Sequence, residues 1–320
     1  MRGALLLLAA ATSAMPLATI CPRLRHTARE EDLPVLRIRG GADGAAETKE
    51  KITSWWKQKQ NNFGTFNGMA PGQGKTDPDR VQASGLMKRR GLANVEKACN
   101  LLRGALKRDP DNIEVKLELA DALNTAIRIK TNANSLVIEG TQDCPAFKKV
   151  WATLGAEALP LATDVRKAMP NSVKALAVYA DAFLYSSSSK GIIKQALTGV
   201  GKKFVAVGKE LYKHPKWDSA VGCAFLGGFY NVAPWPVGSK AKAAKFLGEG
   251  ATIAPTRRNL YYVGVNAYQT GDYKKAKTFF SRALKAPPCK DPSSTEDDIA
   301  EFILAEAKRG LKLSEEALAV

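Results

Sequence analysis

Apolar positions in residues 259–288, NLYYVGVNAYQTGDYKKAKTFFSRALKAPP, fall on two helical faces with one turn between them. Val263, Gly264, Ala267 and Tyr268 are spaced to share one face of a helix, because residues three and four apart lie above one another. Gly271-Asp272 has the composition of a turn, and Ala276, Phe280 and Ala283 then mark a second face that ends before Pro288. Gly264 and Ala276 are small enough to let the two helices approach closely, and Phe280 fills the gap between successive hairpins. A lone hairpin cannot bury its own apolar face, so the pattern predicts further hairpins in the same chain. The spacing of four, three and five residues from Ala276 to Pro288 recurs in Ala98, Leu102, Ala105 and Pro110, and again in Ala243, Leu247, Gly250 and Pro255. Between these repeats, helices are expected at about 113–131, 145–168, 172–185 and 192–214, with a polar break at 186–189. The loop NVAPWPVGS adds four residues relative to the last hairpin.

This pattern resembles the tetratricopeptide repeat, and the expected fold is an all-α, right-handed solenoid of antiparallel helix hairpins with no β-sheet. Its most specific marks are LGGFYNVAPWPVGSKAKAAKFLGEGATIAP followed by NLYYVGVNAYQTGDYKKAKTFFSRAL. With them, the chain is similar to the tetratricopeptide superfamily that contains the regulator of microtubule dynamics proteins and the T component associated with TRAP transporters. The first resemblance implies a membrane- or microtubule-associated adaptor, the second a periplasmic lipoprotein with a ligand cavity. Neither implies catalysis.

The N-terminus reads as an address. MRGALLLLAAATSAMPLA has a positive start, an apolar run and small residues, the layout of a signal peptide over residues 1–18. Residues 12–16 resemble the cleavage motif of plastid proteins in algae with complex plastids, with Met15 in place of the aromatic residue. Residues 19–41 carry the arginines of a transit segment, although Glu30, Glu31 and Asp32 are more acidic than such peptides usually are. Plastid delivery through the secretory pathway is therefore expected, with the endoplasmic reticulum, secretion or a bacterial envelope as the alternatives. Residues 42–78 read as a basic arm with one helix at about 47–60, in which Trp55-Trp56 caps the first repeat or docks the arm. The repeat domain is expected at 79–312 and a tail at 313–320.

Charge narrows the choice of partner. The 320 residues hold 48 Lys plus Arg against 31 Asp plus Glu, a formal charge of +17, and 45% apolar residues suffice for a core. Without residues 1–41 the balance is 42 against 28, so the basic character belongs to the remaining chain. From Ala180 to Lys290 eighteen basic residues face only Asp181, Glu210, Asp218, Glu249 and Asp272. A lysine face comprising Lys202, Lys203, Lys242, Lys245, Lys274 and Lys275 is expected to attract acidic protein partners, with peripheral contact to anionic membrane as an alternative. No nucleic acid is expected, since no recognition motif accompanies the charge.

Catalytic chemistry finds little to use. Five separated cysteines and two histidines make neither a zinc ribbon nor a multi-histidine site, and no nucleophile is paired with a base. GMAPGQGKT has Met69 where a phosphate loop needs its first glycine, and no apolar strand precedes it. No cofactor, metal or catalytic residue is therefore assigned. The inner helices, around 117–125, 224–232 and 261–269, lack the Lys/Asn and Lys/Arg set with which tetratricopeptide grooves seize C-terminal carboxylates. They offer instead Asp121, Asn124, Arg128, Asn231, Arg258, Tyr261 and Tyr268, a mixed polar and aromatic surface for a peptide or a small ligand. The expected function is a non-enzymatic adaptor or scaffold for complex assembly, with a ligand-binding accessory protein of transporter type as the alternative.

Overall fold

Apolar periodicity becomes helix wherever the repeat spacing runs, in a computed structural model that describes residues 77–142, 144–191 and 199–319. The signal, transit and arm segments, Trp55-Trp56 and GMAPGQGKT lie outside the described residues. The compact unit begins at Asp77. It contains α1 (Pro78–Arg89), α2 (Leu92–Arg108), α3 (Ile113–Thr131), α4 (Pro145–Val150), α5 (Ala156–Ala168) and α6 (Val173–Ser188). After the gap in description come α7 (Val200–Tyr212), α8 (Val221–Val232), α9 (Lys240–Ile253), α10 (Arg257–Gln269), α11 (Tyr273–Lys285) and α12 (Ala300–Ala319). Helices next to each other in sequence pack together, α4 and α5 running on through one turn, and the result is a stack of helical hairpins. Starts are set by side-chain caps: Asn112 accepts from Val115 N at 3.1 Å and Asp272 from Lys275 N at 3.1 Å.

The three repeats hold their predicted register. Ala98, Leu102 and Ala105 are buried on α2, Ala243, Leu247 and Gly250 on α9, and Ala276, Phe280 and Ala283 on α11. Phe280 is wedged between two glycines, because a Cβ on Gly264 would come within 2.7 Å of its ring and one on Gly310 within 2.6 Å. The preceding hairpin repeats the device, with Gly227 against Leu247, where a Cβ would approach to 2.5 Å.

Other expectations need correction. The chain does contain a β ladder, of two residues per strand, between β1 (Leu136–Val137) and β2 (Gly140–Thr141). Its outer carbonyls are satisfied by α10, since Tyr261 Oη donates to Leu136 O at 2.8 Å and Gln269 Nε2 to Val137 O at 3.0 Å. This docking explains how so short a ladder persists. Residues 186–188 do not break the helix: Ser187 and Ser188 are buried in the last turn of α6, where Ser188 Oγ returns a hydrogen bond to Leu184 O at 2.8 Å. Helix α7 begins after Gly199, whose φ of +69° favours glycine, and residues 192–198 of the expected helix lie outside the described residues. Residues 313–319, expected as a tail, continue α12 with Ser314 buried.

Candidate functional site

Two segments that are not repeat helices join the halves of the stack. The β1–β2 hairpin follows α3 yet rests on α10 and α12, where Arg309 holds Glu139 through Nη1 at 2.5 Å and Nη2 at 2.8 Å. The second segment, residues 286–299 between α11 and α12, runs as a strap back to the N-terminal helices. Its Asp298 receives Arg90 Nη1 at 2.7 Å and Arg128 Nε at 2.9 Å, and its Ser294 carbonyl receives Arg90 Nη2 at 3.2 Å.

The other end of the strap is laced to the turn before α8. Asp291 Oδ2 accepts from Ser219 N at 2.6 Å, Ser293 Oγ from Asp218 N at 2.8 Å, and Asp218 Oδ2 from Thr295 Oγ1 at 2.8 Å. Arg258 completes this knot, donating through Nη1 to Asp218 Oδ1 at 3.0 Å and through Nη2 to the Asp218 carbonyl at 2.6 Å. Asp218, Ser219 and Ala220 all have positive φ, as do Asn132, Ala133 and Asn134 at the end of α3. The left-handed region disfavours a non-glycine residue by about 1–2 kcal/mol, and at Asp218 and Ser219 the bonds to the strap and to Arg258 hold the backbone there.

Between hairpin, strap and helices lies a cavity of about 290 Å³. Its walls are mostly apolar, built around Trp151, Tyr185, Phe204, Phe225, Phe229 and Tyr262. The Phe204 and Phe225 rings stack at 4.1 Å. Trp151 opens a π-helical turn (Trp151–Gly155) that interrupts α4 and α5, and its indole N–H donates to Thr131 Oγ1 at 2.9 Å. Such turns recur at functional sites because they redirect a side chain without ending the helix. Gly155 permits this turn to lie against α6: a Cβ there would meet Ser186 N at 3.0 Å.

Arg128, Asp181, Arg258 and Lys202 supply charge to the cavity wall. Arg128 Nη1 donates to Asp181 Oδ2 at 2.6 Å and its Nη2 to Thr125 Oγ1 at 2.8 Å. Burial works against the guanidinium charge, but Asp298 and Asp181 together outweigh it and hold Arg128 protonated. Asp181 is less well compensated: burial pushes its carboxyl up to about 6, against the opposing pull of Arg128, with Asp218 and Asp121 adding repulsion. Burial and the Asp181 charge likewise push the Tyr185 phenol up. Cys99 and Cys223 are inert core thiols, raised by burial to about 11 and about 12.

The structure separates the expected inner-face residues. Arg128, Arg258 and Lys202 reach the cavity. Asn124, Asn231 and Tyr261, expected on an open groove, are instead buried: Asn124 Nδ2 donates to Val178 O at 2.9 Å, Asn231 Nδ2 to Gln269 Oε1 at 2.9 Å, and Tyr261 is capped by the hairpin. Asp121 is half-buried and paired with Lys174 at 3.3 Å, while Tyr268 packs edge-on against Tyr273 at 5.2 Å. Lys202, Lys203, Lys242, Lys245, Lys274 and Lys275 are all exposed, and none has an ion pair among the described residues. Lys242 Nζ lies over the Tyr230 ring at 5.4 Å. Sequence reasoning missed Trp151, Asp298 and the closing role of Asp181 and Asp218. One signal was legible: Asp181 and Asp218 are isolated acids in a basic stretch, and each partners a buried arginine.

Comparison with known proteins adds little to this geometry. No family model matches the chain, and no curated protein matches it. Among solved structures the chain is similar to the yeast Tom70 crystal structure, at 12% identity and a TM-score of 0.24, over 83% of this chain and 74% of that one. A likeness at that level bears on neither site nor partner.

Proposed function

We propose that the protein is a non-catalytic binding protein that encloses a small, largely apolar ligand between the halves of its helical stack. The cavity of about 290 Å³ carries this reading. It lies near the small end of ligand pockets. An open peptide groove is less well supported, because hairpin and strap occupy the inner face. The charged wall favours an amphipathic ligand, and Asp181 keeps 26% of its side chain exposed to accept a hydrogen bond from it. This is the accessory-protein alternative drawn from the sequence.

Filling the cavity tests the reading. Ala224→Trp should abolish the fluorescence enhancement of Nile red by the full chain, and native mass spectrometry of the parent should reveal a co-purifying small molecule. Equal enhancement by parent and variant, with no small molecule on the parent, would exclude a ligand site here.

A second reading keeps the adaptor role, in which the exposed, unpaired lysines of α9 and α11 hold an acidic protein partner, as solenoid repeats generally present extended binding surfaces. Plastid residence is part of our proposal and rests on residues 1–41 alone. Fusing residues 1–45 to a fluorescent protein in a diatom should direct it to the plastid, and retention in the endoplasmic reticulum would refute that placement.

A further inference from the structure

The loop between α8 and α9 stands apart from the rest of the surface. Trp235, between Pro234 and Pro236, is 89% exposed, more than any other large apolar side chain among the described residues, and Val237 beside it is 44% exposed. The same loop borders the cavity through Pro234 and Val237, and so does the first turn of α7, through Gly201 and Lys202. Close packing joins the two: a Cβ on Gly201 would stand 3.3 Å from the Phe229 ring, one turn before the loop.

Both segments are basic. No acidic residue occurs between Gly199 and Lys209, or between Asp218 and Glu249. Lys202 and Lys203 are exposed without ion pairs among the described residues, and Lys242 extends over Tyr230 at the base of the loop. An exposed indole on a basic cavity rim has a specific physical match. Tryptophan combines an apolar body with one N–H and settles at the headgroup level of a bilayer, while lysines beside it are drawn to lipid phosphates. An acidic peptide would satisfy the lysines but leave the indole in water.

We infer that the cavity mouth docks on an anionic lipid surface, with Trp235 in the headgroup layer and Lys202, Lys203 and Lys242 against the phosphates. The inference stands whether or not the cavity holds a ligand. If it does, docking sets the mouth where an amphipathic molecule can pass between bilayer and cavity.

The test uses the full chain and vesicles of phosphatidylcholine alone or mixed equally with phosphatidylserine, some made with brominated acyl chains. Tryptophan emission of the parent should be quenched by brominated, phosphatidylserine-containing vesicles, and Trp235→Ala should lose that quenching. Charge reversal by Lys202→Glu with Lys203→Glu should weaken binding to the anionic vesicles at least tenfold, and added salt should mimic the reversal. All three side chains are exposed, so melting midpoints should match the parent. Equal quenching of parent and Trp235→Ala would overturn the inference, because any remaining attachment would then come from elsewhere in the chain. A parent that binds polyglutamate but not the anionic vesicles would also overturn it and assign the lysines to an acidic protein.

Discussion

At the scale of single residues, the repeat positions carry information because they face steric limits. Ala276 is fully buried where α10, α11 and α12 meet, and its neighbour Phe280 has a glycine on either side. Ala276→Glu would bury an unpaired charge and should destabilise the fold by about 3 kcal/mol, read as a lower urea midpoint. These positions were legible because small and aromatic residues recur at fixed spacing. Arg128 was legible only as an inner-face residue, since its partners Asp181 and Asp298 lie 53 and 170 positions away. Asp181 gives a pH signature. Its folded value of about 6 lies above the ordinary 3.8, so the folded protein binds the extra proton between those limits. The contribution is fully present below the unfolded value and is lost as pH rises through about 6, at most about 3 kcal/mol. Relative to Asp181→Asn, which cannot titrate, the parent should therefore lose stability from about pH 4 to about pH 6. Parallel denaturant curves for parent and variant across this range would contradict a raised Asp181 carboxyl.

At the scale of elements, periodicity located the helices and missed what joins them. The expected bounds 113–131 and 145–168 match α3 and the α4–α5 pair because nothing competes with the apolar stripe there. Hairpin and strap have no such stripe. Their backbone groups are satisfied by side chains on distant helices, so no local pattern announces them. Residues 291–295, DPSST, have loop composition, but their fixed path comes from Ser219, Asp218 and Arg258. Asp291 is central, since its carboxylate accepts from Ser219 N and Oγ and from Ser293 N and Oγ. Asp291→Ala should cost about 3 kcal/mol through lost hydrogen bonds to a charged acceptor. Hydrogen exchange should show the loss concentrated in residues 286–299 and at Asp218–Ala220, with α1 and α2 protected as before. Loss spread evenly over the helices would show that the strap folds only with the whole stack.

At the scale of the molecule, these cross-links change how a repeat protein should unfold. In an open solenoid each repeat touches only its neighbours, so stability is a sum of local terms and the ends unravel separately. Here Asp298, 1% exposed at the side chain, ties Arg90 and Arg128 near the start of the stack to the strap before its last helix. Losing one end of the described chain therefore exposes a buried ion pair at the other. The folded unit should melt as one cooperative body, with coincident transitions in far-ultraviolet circular dichroism and tryptophan emission. Trp151 reports the N-terminal helices and Trp217 the turn held by the strap. Asp298→Ala removes the shared carboxylate and leaves Arg128 with Asp181 alone, which should cost about 3–5 kcal/mol, as for other broken buried pairs. It should also separate the two transitions, the emission change preceding the loss of helix as the halves part around the cavity. A parent that already shows two transitions would mean that hairpin and strap rest on the stack without closing it, and that its repeats behave as an ordinary linear array.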